Sequence, residues 1–142
     1  MKIKYKEVET INEFIDAIRI RVDVFIIEQG CKPGWEPDEE DKTSRHFIAI
    51  SDDKVVSTLR VRKLDDGIKI ERMATKKEYR GIDISKGLIN YVLNEIKKLK
   101  TKRIWMEAQI QAQEFYEKCG FETVSEPYDL YDILHIKMEY KE

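Results

Sequence analysis

A strand-like run at residues 68–75 and a helical run from residue 85 flank the segment KKEYRGID, a charged turn holding one glycine, Gly81. Glycine lets the backbone leave the strand direction through positive φ without a Cβ penalty. A strand, a glycine-bearing turn and a helix N-terminus together leave unpaired N–H groups aimed at one spot, a trap for an anion whose natural guest is a phosphate. Many strand–turn–helix units carry one glycine for geometry alone, so the spacing leaves both readings open. Other residue types with chemical potential are scattered. His46 and His135 are lone histidines in strand contexts, where a satisfied structural role and a place beside a substrate are alternatives. Cys31 and Cys119 lack CxxC spacing, which argues for free thiols and against a zinc knuckle or a disulfide framework. Nothing has metal-ligand spacing, so no metal is expected.

The elements that must position these residues can be read in order. Residues 2–8 alternate as a strand. Thr10 can cap a helix whose apolar stripe runs Ile11, Phe14, Ile15, Ile18 and Val22, with Arg19 and Arg21 outside it. Residues 24–28 continue that helix or bend into another, with their apolar side chains in the core. The segment 29–45, QGCKPGWEPDEEDKTSR, concentrates glycine, proline and five acidic residues and reads as a long loop. It is either a solvated acidic excursion or a rim in which Trp35, Asp38, Glu39, Glu40 and Asp41 attract an amine-bearing substrate.

Residues 46–50 and 54–62 form a hairpin across Ser51-Asp52-Asp53, and a second turn at Asp65-Asp66-Gly67 leads into the strand at 68–75. A helix follows, with Leu88, Ile89, Val92, Leu93, Ile96 and Leu99 as its stripe, Ser85 as a good N-cap and lysines at its end. A crossover through that helix places the short strand RIWME parallel to the strand before it. A short helix ends at Gly120, a suitable C′ residue, and residues 134–140 make a last strand.

At 142 residues the chain is expected to form one domain spanning 1–142. Its net charge of −2, with acidic and basic residues interspersed, lacks the basic excess of a nucleic-acid binder. No apolar run approaches a membrane span and the N-terminus has no signal-peptide core, so a cytoplasmic protein without membrane partners is expected.

MATKKEYRGIDISKGLI resembles motif A of the GNAT superfamily, the acetyl-CoA-dependent N-acetyltransferases. Arg80 and Gly81 stand where that family has Arg-Gly. Glu78, Asp83 and Ser85 depart from it, and Asp83 is expected to compete with a pyrophosphate for the helix N–H groups. Ala112, Phe115, Tyr116, Gly120 and Phe121 fit the family's second pattern. Further matches at VFIIEQGC, His46-Phe47, Ala108-Gln109 and HIKM are similar to the ElaA-like branch. The resemblance implies an α/β (α+β) fold: a mixed, mainly antiparallel sheet with helices on both faces and a splayed parallel strand pair at the cofactor cleft.

It further implies an acetyl-CoA co-substrate held by the backbone of Met73, Ala74 and Thr75 and by the turn and helix start at Arg80, Gly81, Ile82, Asp83, Ile84, Ser85 and Lys86. Tyr116 is then the proton donor to the departing thiol. Glu71, on a face shared with Lys69 and Met73, is the leading base, its pKa raised by partial burial, with an ion pair to Arg60, Arg62 or Arg72 as the alternative role. Glu28, Trp35, His46 and Gln109 line the acceptor side. The expected reaction is direct transfer to a small-molecule amine in a ternary complex, by a protein whose edge strands permit a homodimer. Rival readings are an acyl transferase fed by a carrier protein, as in homoserine-lactone synthases, and a degenerate CoA-fold binding module.

Overall fold

The protein is described by a computed structural model over residues 2–100 and 103–141. The chain opens with β1 (Ile3–Glu7) and α1 (Ile11–Arg21). Thr10 starts α1 through a capping box: its side chain accepts from the Glu13 amide at 3.1 Å, and the Glu13 carboxylate accepts from the Thr10 amide at 3.1 Å. The inward stripe of α1 differs from the expected one. Ala17, Ile20 and Arg21 are buried, whereas Ile11 is 69% and Ile15 41% exposed. The reason is Arg21, whose anchoring described below turns the helix so that a charged residue, not the larger apolar ones, faces the sheet.

Residues Val22–Glu28 continue as a wide π-helical turn, with the Gln29 amide donating to the Val24 carbonyl at 3.0 Å. Such insertions widen a helix and re-aim its side chains. Here Val24 is buried, Phe25 packs beside it, and Ile27 is 72% exposed, so the segment is only partly core. The long loop carries short 3-10 turns at Pro33–Trp35 and Glu39–Lys42.

Next come β2 (Arg45–Ser51), β3 (Lys54–Leu64) and β4 (Gly67–Thr75), an antiparallel meander. Asp52 and Asp53 turn the first hairpin with φ of 48° and 69°, the mirror-image geometry that matches strand twist. Then follow α2 (Ile84–Lys97), β5 (Ile104–Gln109), α3 (Gln113–Lys118), β6 (Phe121–Thr123), β7 (Tyr128–Leu130) and β8 (Ile133–Tyr140). The sheet runs β1-β2-β3-β4-β5-β8-β6, with β7 also on β8, and only β4 and β5 are parallel neighbours.

Two irregularities shape it. In β4 one residue is extra: Thr58 faces Ala74 and Arg60 faces Glu71, so Leu59 is opposed by both Arg72 and Met73, and Arg72 takes φ of 55°. This is a β-bulge, and it switches which face each later side chain meets. Met73 therefore packs with the α2-side core, on the face opposite Glu71, whereas Ala74 joins Ile20 and Val24 under α1. The expected common face for Glu71 and Met73 is corrected by that one residue. Secondly, β4 and β5 pair only at Ile68–Ile104 and Lys69–Trp105, after which they part.

The α2 stripe of Ile84, Leu88, Ile89, Val92, Leu93 and Ile96 is buried against Phe47, Leu59, Val61, Ile70, Met106 and Ile136 of the sheet. Leu99 lies beyond the last turn and is 51% exposed. Gly87 lets β1 dock on α2, because a Cβ there would sit 1.9 Å from the Tyr5 hydroxyl oxygen. Gly87→Ala is therefore expected to destabilise the protein by about 1–3 kcal/mol in chemical denaturation, against the gain of about 1 kcal/mol that alanine brings to an open helix. A more stable variant would show that Tyr5 does not rest on Gly87.

Candidate active site

The parting of β4 and β5 opens a cleft of about 530 Å³, walled by β4 on one side and by β5, residues 109–112 and α3 on the other. Met73, Ala74, Thr75, Arg80 and Ser85 line the β4 side, and Gln109, Ala112, Phe115 and Tyr116 the β5 side. The motif A resemblance and the second pattern thus meet across one gap. Trp35 and Tyr131 stand at its rim with ring centroids 4.6 Å apart.

The α2 N-terminus lies at the end of β4. Asp83 occupies the N-cap position in the left-handed region, φ 66°, and its side chain caps nothing. None of the amides of residues 81–86 hydrogen-bonds to another described residue, so a set of N–H donors is free. The feared competition from the Asp83 carboxylate is absent from this geometry. Ser85, expected as the cap, lies one position inside the helix, and its hydroxyl joins Thr75 Oγ1 at 2.7 Å, which in turn meets Ser57 Oγ at 2.7 Å. Ile84 is core and its side chain is closed to the cleft.

Arg80 ties this mouth together. Its Nε donates to the Thr75 carbonyl at 3.0 Å and its two terminal nitrogens grip the Glu28 carboxylate at 2.7 and 2.8 Å. Two residues assigned to different subsites in the sequence thus form one bridge, from the end of the π-helical turn to the phosphate-type turn. Gln29, next to Glu28, exchanges amide hydrogen bonds with Gln109 at 3.2 and 2.8 Å, a second tie across the cleft.

The sheet face under α1 is polar. Arg60, only 2% exposed, bonds to Asp38 at 2.6 Å, to Asp41 at 2.9 Å and to Glu71. Arg21, 1% exposed, bonds to Asp41 at 2.8 Å and to Glu36 at 2.5 Å. Arg72 reaches Glu36 and Asp38, both at 2.9 Å. The acidic loop is accordingly neither wholly a solvated excursion nor wholly a free rim: Glu36, Asp38 and Asp41 fold inward onto arginines, whereas Glu39, paired with Lys42, and Glu40, 3.4 Å from Arg62 at the edge of the cleft, stay exposed. Burial would raise the Asp41 pKa, but Arg21 and Arg60 bonded to it hold it far below the carboxylate range.

Glu71 sits in this network, facing Arg60, Arg62 at 3.3 Å and Lys69 at 3.3 Å. Burial pushes its pKa up, and the charges and hydrogen bonds of those three cations outweigh burial, so the net shift is downward. The expected upward tuning is corrected, and Glu71 is an ionised pairing group with its lone pairs committed. Glu107 is similarly held, by Lys69 at 2.6 Å and the Tyr128 hydroxyl at 2.7 Å.

Tyr116 is 8% exposed, packs edge-on to Phe115 and Phe121, and its hydroxyl has no hydrogen-bond partner among the described residues. Burial drives its pKa well up, which keeps the phenol protonated. Cys119 is buried and its thiol is also pushed up, a poor setting for a nucleophile. His46 does not itself line the cleft: it pairs across the sheet with Arg60, which does, and its ring lies edge-on to Phe14 with Nε2 3.1 Å from the Asp41 carbonyl. His135 does line the cleft.

Sequence reasoning missed Arg21, Arg60 and Glu36 as a buried cluster, and Tyr131 as a partner of Trp35. The alternation Arg60-Val61-Arg62 in β3 was a usable signal for a polar inner face.

Comparisons with known proteins agree with this geometry. Residues 5–142 match a family model described as acetyltransferase (GNAT) domain. A Bacillus subtilis protein named as a candidate acetyltransferase is 32% identical over 136 residues, 94% of this chain and 92% of its own. The ElaA protein of Escherichia coli is 29% identical over 135 residues, 91% of this chain and 88% of its own. The ElaA crystal structure superposes with a TM-score of 0.87 at 24% identity, covering 97% of this chain and 99% of that one. The PaiA N-acetyltransferase of Thermoplasma acidophilum, solved in complex with coenzyme A, shares the fold at TM-score 0.78 and 16% identity over 100% of both chains.

The ion network sets an acid limit on the fold. Asp38, Asp41 and Glu71 have lowered pKa values, so they stabilise the protein above the usual carboxylate range and that contribution is lost as pH falls. Burial lowers the His46 pKa, so the unfolded chain takes up its proton first and stability drops as pH falls below about 6.5. The melting temperature is therefore expected to decline continuously from about pH 7.5 to about pH 4, with His46→Gln removing the upper part of the decline. Asp41→Ala should cost about 3–5 kcal/mol by leaving buried guanidinium charge uncompensated; a loss below about 1 kcal/mol, typical of exposed pairs, would contradict the network.

Proposed function

The chain belongs to the family of GNAT acetyltransferases, and we propose that it carries the acetyl group of acetyl-CoA directly to a small-molecule amine bound in the same cleft. One observation carries this reading: the run of unpartnered amides at residues 81–86 opens onto a gap that the sheet itself leaves between β4 and β5. Amides at a helix start favour phosphate oxygens, and the edge of a strand without a neighbour offers main-chain groups to an extended amide-bearing arm. The coenzyme A found with the Thermoplasma acidophilum protein, whose fold is shared, supports the same donor here.

The residues divide the work as follows. The N–H groups of Gly81, Ile82, Asp83, Ile84, Ser85 and Lys86 receive the diphosphate. The main chain of Met73 and Ala74 pairs with the pantetheine, while the Thr75 carbonyl is occupied by Arg80. Arg80 acts mainly by holding the turn, because Glu28 already neutralises its charge. The thioester supplies an activated carbonyl. Tyr116 aims an undissociated phenol at the departing sulfur; with its pKa driven above a thiol's ordinary value near ~8.5, it serves by hydrogen bonding to the thiolate more than by full proton transfer. Trp35 and Gln109 stand on the acceptor side, where the charged groups of both signs balance.

Two measurements test this. Calorimetry should detect CoA binding to the isolated protein, and absence of heat at millimolar CoA would remove the proposed donor. Tyr116→Phe should lower kcat by roughly ten- to ten-thousand-fold with CoA affinity unchanged. Unchanged turnover would take Tyr116 out of the reaction.

A further inference from the structure

We propose that His135 is the group that takes the proton from the attacking amine, a catalytic assignment that rests on the acyl-transfer reading above. His135 stands on β8 directly across from Gln109 of β5, lines the cleft and is 6% exposed. Its Nδ1 lies 2.6 Å from the carbonyl oxygen of Ile133. A carbonyl oxygen only accepts, so Nδ1 carries the hydrogen, and in the neutral ring Nε2 is left with a lone pair. That nitrogen has no hydrogen-bond partner among the described residues. The backbone of its own strand thus fixes both the tautomer and the ring orientation, the role that a separate orienting residue plays in many catalytic constellations.

Three carboxylates that line the cleft are committed elsewhere. Glu71 faces three cations, Glu107 is bonded to Lys69 and Tyr128, and Asp38 is held by Arg60 and Arg72. Each of these carboxylates also has a lowered pKa, which weakens it as a proton acceptor. The groups around His135 are Gln109 from β5 and Tyr128 from β7, directly across from it, with Glu107 and Lys137 forming the next cross-strand pair. Among the described residues no cation is bonded to the imidazole.

The step balances without a further reagent. As the amine nitrogen bonds to the acetyl carbon and the carbon–sulfur bond breaks, Nε2 receives the amine proton. The thiolate leaves against the Tyr116 hydroxyl and takes its proton from solvent, to which the imidazolium returns the one it gained.

The test uses the full chain, with thiol release from acetyl-CoA followed in the presence of phenethylamine, spermidine or glycine, and with water alone. His135→Gln and His135→Asn are expected to lower kcat/KM by about 10²- to 10⁴-fold, to abolish the acidic limb of the pH profile, and to bind CoA as the wild type does. Added imidazole should restore part of the rate in these variants. A folded, CoA-binding His135→Gln protein that keeps both rate and acidic limb overturns the assignment. So does a ¹⁵N spectrum that places the His135 hydrogen on Nε2, a measurement that needs no acceptor and is simplified by there being only two histidines. Loss of CoA binding by the wild type would instead sink the acyl-transfer reading itself, and that outcome is separately visible by calorimetry.

Discussion

The structure depends on one anchored arginine. Arg72 takes φ of 55°, a region that costs a residue with a Cβ about 1–3 kcal/mol, and it persists only where surroundings over-determine it. Its side chain is clamped by Glu36 and Asp38, both at 2.9 Å, and lies 5.8 Å from the centre of the Tyr131 ring. The clamp holds the extra residue in β4. β4 and β5 pair only at Ile68–Ile104 and Lys69–Trp105, and the bulge lies further along β4, within the parted stretch. Remove the clamp and the two strands could zip further along, closing the gap in which the cleft lies.

The clamp itself needs a foundation, and the buried arginines provide it. Arg21 and Arg60 are the largest fully buried side chains in the protein, and burying a guanidinium is tolerable only where its donors are filled. Glu36 bridges Arg21 to Arg72, Asp38 bridges Arg60 to Arg72, and Asp41 bridges Arg21 to Arg60. Each of these three carboxylates serves two arginines drawn from different elements. Helix, loop and sheet are therefore locked by a closed ring of charge, which forms one wall of the cleft. Apolar residues of similar volume could make the fold as stable or more so, so the ring is better explained by the geometry it fixes than by the stability it adds.

This arrangement explains what could be read in the sequence and what could not. The strand–turn–helix at residues 68–97, the hairpin at Asp52-Asp53 and the short helix closed by Gly120 were legible because each is local: periodicity, a glycine and a turn residue specify them within a few positions. Arg21 was misjudged because periodicity weighs hydrophobicity, and a buried cation is stabilised by partners fifteen and twenty residues away. The bulge at Arg72 left no glycine to mark it, so the parity of Met73 came out reversed. The strands Phe121–Thr123 and Tyr128–Leu130 are three residues each, too short to show alternation, and exist because β8 offers them partners.

The pairing of charges also explains how carboxylates can crowd a cleft and stay ionised. A carboxylate that organises arginines must stay ionised and fully bonded, and the same bonds that make it a good structural partner lower its affinity for a proton. Structural and proton-accepting duties are thus opposed demands on one group. The charges paired around the buried arginines lie on β3 and β4, while β8, reached across β5, carries an imidazole whose one hydrogen-bond partner among the described residues is a backbone carbonyl. Such a partner fixes direction without adding a formal charge. The ring is thereby held on β8, two strands removed from Arg72 of β4.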